Sequence, residues 1–428
     1  MRTLIVNAGE LAHLSYGDLS KPLKGQDMSE KEFNVYEKGM GILIEDGKIL
    51  KIADSGGLIS EFSPSWDGSN GISDYISVVY AVGNAVIRGF VDSLTHVIWS
   101  GDRSNEMALR QNGLSYTEIS QMGGGISKTV RSTRQRTFEE LVNIGTNNAK
   151  KALMLGTTTL EAKSGYGLNL ESEIAILSAY QLVNSRSNCD IHSTWLGAHD
   201  FPTNTTREDY IDELIHKQLP EVCRLGIARW ADVFCEPGWF TLDESKEILL
   251  ASNKLGLRPR AHVDEFVDSN GLAMAADIGC VSADHVACSS DDARSKADAA
   301  GVMQTFLPGT QYVMGMIDFP PMKSCLENSW AFSIASDFNP NCNSISMPFV
   351  GSLATHRCGI DPIAALVAST RNPATTFSDG ETPGCGSLTE GGNASLNILT
   401  TNSVEGWCQS PGMNPIALTI SNGNIVKR

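Results

Sequence analysis

The stretch "GFVDSLTHVIWSGDR" (Gly89–Arg103) begins as an apolar strand and runs into a polar loop, with one histidine, His96, where the strand ends. Alternate residues of a strand point to the same side, so a His-x-His pair would present two imidazoles together. Here the position two before His96 is Leu94, which has no donor atom. Outward from this stretch the pattern repeats. Further short apolar runs follow: "TTTLEAKSG", "CDIHSTWLGAH", "ARWADVFCEP", "LRPRAHVDE", "CVSADHVA", "VMQTFLPGT" and "WAFSIASDFNP". Between them lie amphipathic segments such as "TFEELVNIGTNNAKKALMLG" and "LESEIAILSAYQLVNS". Strands alternating with helical segments predict a parallel sheet with helical crossovers, and eight strands close a barrel. The polar residues collect at the C-terminal strand ends: His96, Lys163, His199, Glu236, His262 with Glu265, His285 and Asp337. That face of such a barrel carries the chemistry.

The flanks read differently. "GILIEDGKILKIA" is two strands around Asp46-Gly47, a strong hairpin signal, and "SNGN" near the C-terminus is another. The polar run "SYGDLSKPLKGQDMSEKEF" between the opening strand and the first hairpin predicts an exposed loop. The expectation is an α/β protein: a (β/α)8 TIM barrel over 86–385, beside a small β-sandwich domain built from both chain ends, 1–85 and 386–428.

The 428 residues are 41% hydrophobic and 19% charged, which suits a globular chain with a large core. A net charge of -16 argues against nucleic acid and anionic membrane as partners, because both demand basic patches. The 10 cysteines are irregularly spaced with no C-x-x-C pair, which predicts reduced thiols rather than a disulfide frame. The opening "MRTLIVNAGELAHL" is too short an apolar run for a signal peptide, and no run approaches the roughly 18 apolar residues of a membrane span. A soluble cytoplasmic protein is expected.

Of eight histidines, four (His96, His199, His262, His285) stand at predicted strand ends, while His13, His192, His216 and His356 are expected to have no catalytic part. In "RAHVDEFVDS" an acid, Glu265, follows His262 by three places, and "SADH" supplies a second strand-end histidine. Asp337 in "ASDFNPNCNS" reads either as a turn aspartate or as a carboxylate that binds metal and relays a proton. Imidazole and carboxylate donors suit zinc or iron. Tyr166, between Gly165 and Gly167 in "EAKSGYGLNLESE", reads either as a plain loop residue or as one projecting into the barrel mouth. "QMGGGISKTVRSTRQR" lacks the spacing of a phosphate loop, so Lys128, Arg131, Arg134 and Arg136 are read as helix-end or mouth residues. No G-x-S-x-G elbow is present.

Together these stretches, with "RGFVDSLTHVIWSGDRSNE", "SYTEISQMGGGISKTVRSTR", "WLGAHDFP" and "LPGTQYVMG", resemble the imidazolonepropionase family of the metal-dependent amidohydrolase superfamily. They run in that family's order from about residue 86 to 345. The resemblance implies a hydrolase that breaks a C–N bond of a cyclic amide, opening 4-imidazolone-5-propanoate to N-formimidoyl-L-glutamate in histidine degradation. It implies one metal, zinc or iron, held by His96, His262 and Asp337, with Leu94 at the fourth ligand position, where metal binding is expected to be weakened. It implies catalytic parts for Glu265, His285 and Asp337. Substrate contacts are implied for Arg103, Tyr116, Tyr166, His199, Glu265, Asn339, Asn341 and Cys342, with Arg103 gripping a carboxylate through two parallel hydrogen bonds. Lys163 is a motif residue and not an expected ligand. The expected partners are a small-molecule substrate and a second copy in a homodimer, with no nucleic acid or membrane. Two alternatives stay open: a related cyclic amidohydrolase or ring deaminase, and a catalytically silenced ligand-binding homologue.

Overall fold

The computed structural model describes residues 2–378 and 386–426. Eight parallel strands follow one another round a barrel: β1 (Phe90–Thr95), β2 (Thr157–Lys163), β3 (Asp190–Ala198), β4 (Trp230–Cys235), β5 (Arg258–Val263), β6 (Ser282–His285), β7 (Met303–Phe306) and β8 (Phe332–Ile334). Each predicted strand coincides with one of these. The seam between β1 and β8 closes through one parallel bridge, Thr95 to Phe338, and through Asp337 N–H to Leu94 O (3.1 Å) and His96 N–H to Phe338 O (2.8 Å). Asp92 reinforces it by accepting from Ser336 N–H at 2.9 Å. The two segments predicted as helical form Phe138–Met154 and Leu170–Ser187. The first opens on a capping box in which Thr137 and Glu140 satisfy each other's backbone N–H.

Two further sheets stand beside the barrel. The five-stranded one is ordered Lys48–Asp54, Met40–Glu45, Arg2–Val6, Ile76–Tyr80, Gly71–Ser73 and comes from the N-terminal part alone. The chain ends meet in the six-stranded one, where Leu396–Leu399 pairs with Val86–Arg88 and Ile416–Ser421. Ile5, Ile42, Ile44 and Ile49 of one sheet share an apolar core with Val86, Leu396, Ile398 and Ile420 of the other, which makes a β-sandwich. Both hairpin signals form turns. Asp46 and Gly47 have φ of 48° and 80°, and Asn422 and Gly423 have 48° and 78°, the positive pair that a type I′ turn requires.

Two expectations need correction. The single strand predicted over "AVIRGFVDSLTH" (85–96) is two strands in different sheets, Val86–Arg88 and Phe90–Thr95, broken at Gly89. A Cβ at Gly89 would lie 2.3 Å from Thr158 Oγ1, so only glycine lets the chain pass from one sheet to the other there. The polar run 15–33 is not wholly exposed. Leu23 and Met28 are buried in the barrel core, and Arg371 and Asn372 hold this segment through backbone carbonyls, Arg371 Nη1 to Leu14 O (3.0 Å) and Asn372 Nδ2 to Leu23 O (3.0 Å). The nine cysteines among the described residues are all free. Among the described residues no helix is long and apolar enough to cross a membrane.

Candidate active site

The strand ends deliver their side chains to one cavity at the C-terminal mouth. His96, Arg103, Tyr116, Tyr166, His199, His262, Glu265, His285, Asp337, Asn339 and Asn341 line it, joined by Ile126, Phe234 and Thr310. Cys342 does not reach the wall. It is buried behind it, with Sγ 3.5 Å from Ser336 O. Leu94 is fully buried against Leu307 and Ala335 and does not line the cavity. Its backbone carbonyl nevertheless holds Asp337 N–H.

Local backbone geometry aims these groups. Asp337 and His285 have φ of 50° and 71°, left-handed conformations that non-glycine residues hold only under constraint. Thr310 Oγ1 donates to Asp337 Oδ2 at 2.5 Å. The Tyr166 loop is built on Glu173, whose carboxylate accepts from the N–H groups of Gly165 (3.0 Å), Gly167 (2.6 Å) and Leu168 (2.9 Å). Gly165 has φ +101°, and a Cβ there would stand 2.7 Å from His199 Nδ1. Its carbonyl lies 2.9 Å from that same nitrogen. His199 in turn stacks on His96, with centroids 5.1 Å apart.

Burial dominates the electrostatics. It pushes the His199 imidazole down to about 3, with His262 adding to the effect, and lowers His96 and His285 well below the ordinary value. These rings are therefore neutral at pH 7 and keep lone pairs for a ligand. The carboxyls move the other way. Burial, then Asp337 and Glu236, raise Glu265 well above the usual range, and burial lifts Glu236 to about 7. Asp337 is raised by burial against the opposing Thr310 hydrogen bond. Glu265 Oε2 stands 3.6 Å from His285 Nε2, and Glu236 Oε1 accepts from Glu265 N–H at 2.5 Å. The site thus places neutral imidazoles beside a carboxyl whose pKa burial raises, the pairing from which general acid–base work is made.

Arg103 faces the cavity, but its Nε and Nη2 both bond Glu106 Oε2, at 2.9 and 2.7 Å. Glu106 therefore occupies the Nε–Nη2 edge of the guanidinium, one of the two edges that could make the expected two-point grip on a carboxylate. Beneath the cavity lies an acidic cluster that sequence reading did not single out. Glu161, Asp232 and Asp284 are fully buried around the Lys163 ammonium, at 2.8, 2.6 and 3.4 Å. Burial works to lower the Lys163 pKa, but the three carboxylates outweigh it and hold it above its ordinary value. The available signal was a lone acid inside each of three apolar strands.

The donor set fits a metal ion. His262 Nε2 and His285 Nδ1 are buried with no hydrogen-bond partner, and imidazole nitrogens with one carboxylate are the donors that zinc and iron take. Among the described residues, the group of three ligand atoms within 4.8 Å of one another is Asp232, His262 and Asp284, while the expected ligands His96, His262 and Asp337 share the cavity without forming so tight a group. Lys163 already supplies the cation to Asp232 and Asp284, so the vacant donor of His262 is Nε2.

Fold and site together define a barrel hydrolase of the amidohydrolase type. Two solved structures share the fold: a 5-methylcytosine deaminase from Klebsiella pneumoniae with phosphonocytosine (TM-score 0.69, 15% identity, 99% of this chain and 98% of that one) and a zinc-bound adenosine deaminase from Xanthomonas campestris (TM-score 0.67, 14% identity, 99% and 92%). Curated relatives are far more similar in sequence. The imidazolonepropionase of Symbiobacterium thermophilum is 35% identical over 427 residues, covering 99% of this chain and 96% of the relative. That of Haloarcula marismortui is 34% identical over 397 residues, covering 92% and 91%. The chain belongs to the imidazolonepropionase family. No protein-family model matches it.

Proposed function

We propose that the protein hydrolyses the ring C–N bond of 4-imidazolone-5-propanoate, giving N-formimidoyl-L-glutamate in histidine degradation. The observation that carries this reading is the convergence, in a member of that family, of His96, His262, Glu265, His285 and Asp337 on one buried cavity. His96, His262 and Asp337 would hold a zinc or iron ion, which when bound makes water acidic enough to supply hydroxide near neutral pH. The water oxygen adds to the ring carbonyl carbon, and Asp337 takes its proton. The C–N bond then breaks, and Asp337 returns that proton to the leaving nitrogen. Glu265, whose pKa burial raises well above the usual carboxyl range, hydrogen-bonds a ring nitrogen. His285, beside it, steadies the carbonyl oxygen as negative charge develops there. Tyr116, Tyr166, His199, Asn339 and Asn341 pack around the ring and side chain, and Arg103 attracts the propionate.

The test is to supply the metal-loaded protein with the imidazolone and, separately, with a panel of purines and pyrimidines. Ring opening of the imidazolone supports the proposal. Deamination of a nucleobase without ring opening would assign it to the ring deaminases instead. Leu94 favours one further reading, a barrel that binds the ligand without hydrolysing it, because the fourth ligand position is filled by an apolar side chain with apolar neighbours. That reading requires no turnover even with zinc or iron in excess. A homodimer, with 86–385 as the barrel unit, completes the proposal, and sedimentation in solution checks the dimer.

A further inference from the structure

Lys163 ends β2 and has no part in the reaction just described. Its ammonium is completely buried, 2.6 Å from Asp232 Oδ2. The other oxygen of Asp232, Oδ1, lies 3.1 Å from His262 Nδ1. Beyond that ring, on the cavity side, His262 Nε2 is buried and unpartnered. A chain of contacts therefore runs from beneath the cavity, through one carboxylate, to an imidazole with a vacant donor atom.

The tautomer of the neutral ring follows from this order. A carboxylate only accepts, so the ring nitrogen facing Asp232 carries the hydrogen, and in the neutral ring, the form that ligates a metal, the lone pair is left on Nε2. Asp232 can serve His262 in this way only with its second oxygen committed elsewhere, and the Lys163 ammonium makes that commitment. The same ammonium lies 3.4 Å from Asp284 Oδ2, so this side of His262 already has its cation.

We propose that Lys163 is a positioning residue which, through Asp232, fixes the His262 tautomer so that Nε2 is presented to the cavity as a metal donor. The inference rests on reading His262 as a ligand. Outer partners of this kind typically change metal affinity by about 10–100-fold.

An Asp232→Asn substitution separates positioning from mere structure. An amide has one acceptor oxygen, and both Lys163 and His262 need it. The charged ammonium is expected to win, because ionised donors make the stronger hydrogen bonds. The amide NH2 then faces His262 Nδ1, the ring hydrogen moves to Nε2, and the donor is lost. Long-range 15N–1H spectra of the full chain, stripped of metal and recorded at alkaline pH where the ring is neutral, should show the His262 hydrogen on Nδ1 in the wild type and on Nε2 in Asp232→Asn. Zinc affinity, measured by chelator competition, should fall about 10–100-fold. Adding Lys163→Met frees the amide oxygen for His262 and returns the net charge of the cluster to its wild-type value. The double variant should therefore bind zinc at least about 10-fold more tightly than Asp232→Asn alone, within the range such partners command. A purely structural role predicts the reverse, a double variant worse than the single one. Asp232→Asn with the wild-type tautomer overturns the proposal, as does a folded double variant that binds zinc no more tightly than the single one. If the double variant does not fold, the tautomer in Asp232→Asn decides alone. No readout uses the substrate, so a failure of imidazolone turnover in the wild type would overturn the functional reading and leave this one standing.

Discussion

Leu94→His, which places a donor at the proposed fourth ligand position, makes a quantitative prediction. Leu94 is fully buried against Leu307 and Ala335. Its burial contributes about 1.5–3 kcal/mol. Ring nitrogens placed there without partners cost about 1–3 kcal/mol more. The metal-free variant should therefore be less stable than the parent by about 4 kcal/mol, the middle of the roughly 2.5–6 kcal/mol to which those two effects sum. A fourth protein donor should tighten metal binding at least as much as an outer partner does, by about 100-fold. With metal in excess, a hundredfold gain in affinity contributes about 2.7 kcal/mol to the folded state. Most of the deficit should thus disappear on adding zinc. The assay is denaturant unfolding of parent and variant, each with chelator and with excess zinc, beside direct zinc titration. A deficit unchanged by zinc, with unchanged zinc affinity, would refute the assignment of Leu94 to a ligand position.

Three further outcomes are expected. Gly165→Ala forces a Cβ to 2.7 Å from His199 Nδ1 and should displace that ring, lowering kcat/KM by about 100-fold, as misplacement by about 1 Å does; steady-state kinetics on a folded variant checks it. Lys163→Met leaves Glu161, Asp232 and Asp284 buried without their cation and should cost about 3–5 kcal/mol in a denaturant titration. For pH, burial raises Glu236 from an ordinary 4.5 to about 7. Between those values the folded chain keeps a proton that the unfolded chain releases. The stabilisation is therefore full below the lower value and is lost as pH rises to the upper one, by about 3 kcal/mol. Asp92, raised by burial to about 7, acts with the same sign, so Glu236→Gln should flatten the decline without abolishing it, as unfolding measured across this range will show.

The barrel was legible because its strands are apolar throughout and polar only where they end, so eight runs with one recurring terminus could be read without knowing the fold. The hairpins were legible because Asp-Gly and Asn-Gly supply the positive φ angles their turns require. Other features depend on neighbours distant in sequence. The break at Gly89 is set by Thr158, and the burial of Leu23 by Asn372. In the site, His96, His199, His262, Glu265, His285 and Asp337 reached the cavity from the strand ends, while Lys163 and Glu236 did not line it, and Cys342, five residues past Asp337, turned away from it. The edge of Arg103 taken by Glu106 lies only three residues along the chain, but it depends on a helix start that composition does not reveal. The acids around Lys163 were hidden for another reason. Period-2 patterning separates faces of a strand, and in a closed barrel both faces are buried, so an inward acid breaks no pattern.

The seam that joins the first barrel strand to the last has a consequence for biosynthesis. Asp92 and Ser336, which meet across it, are 244 residues apart in the chain. The same seam carries His96 and Asp337, each held by the other strand's backbone. A ribosome delivers the first of these long before the second, at about 5–20 residues per second. The emerging chain therefore spends on the order of ten seconds or more with half of this pocket made and the other half not yet translated. On the proposed ligand set, the chain has no complete cage for a cation during that interval, and metal selection is deferred until the barrel has closed.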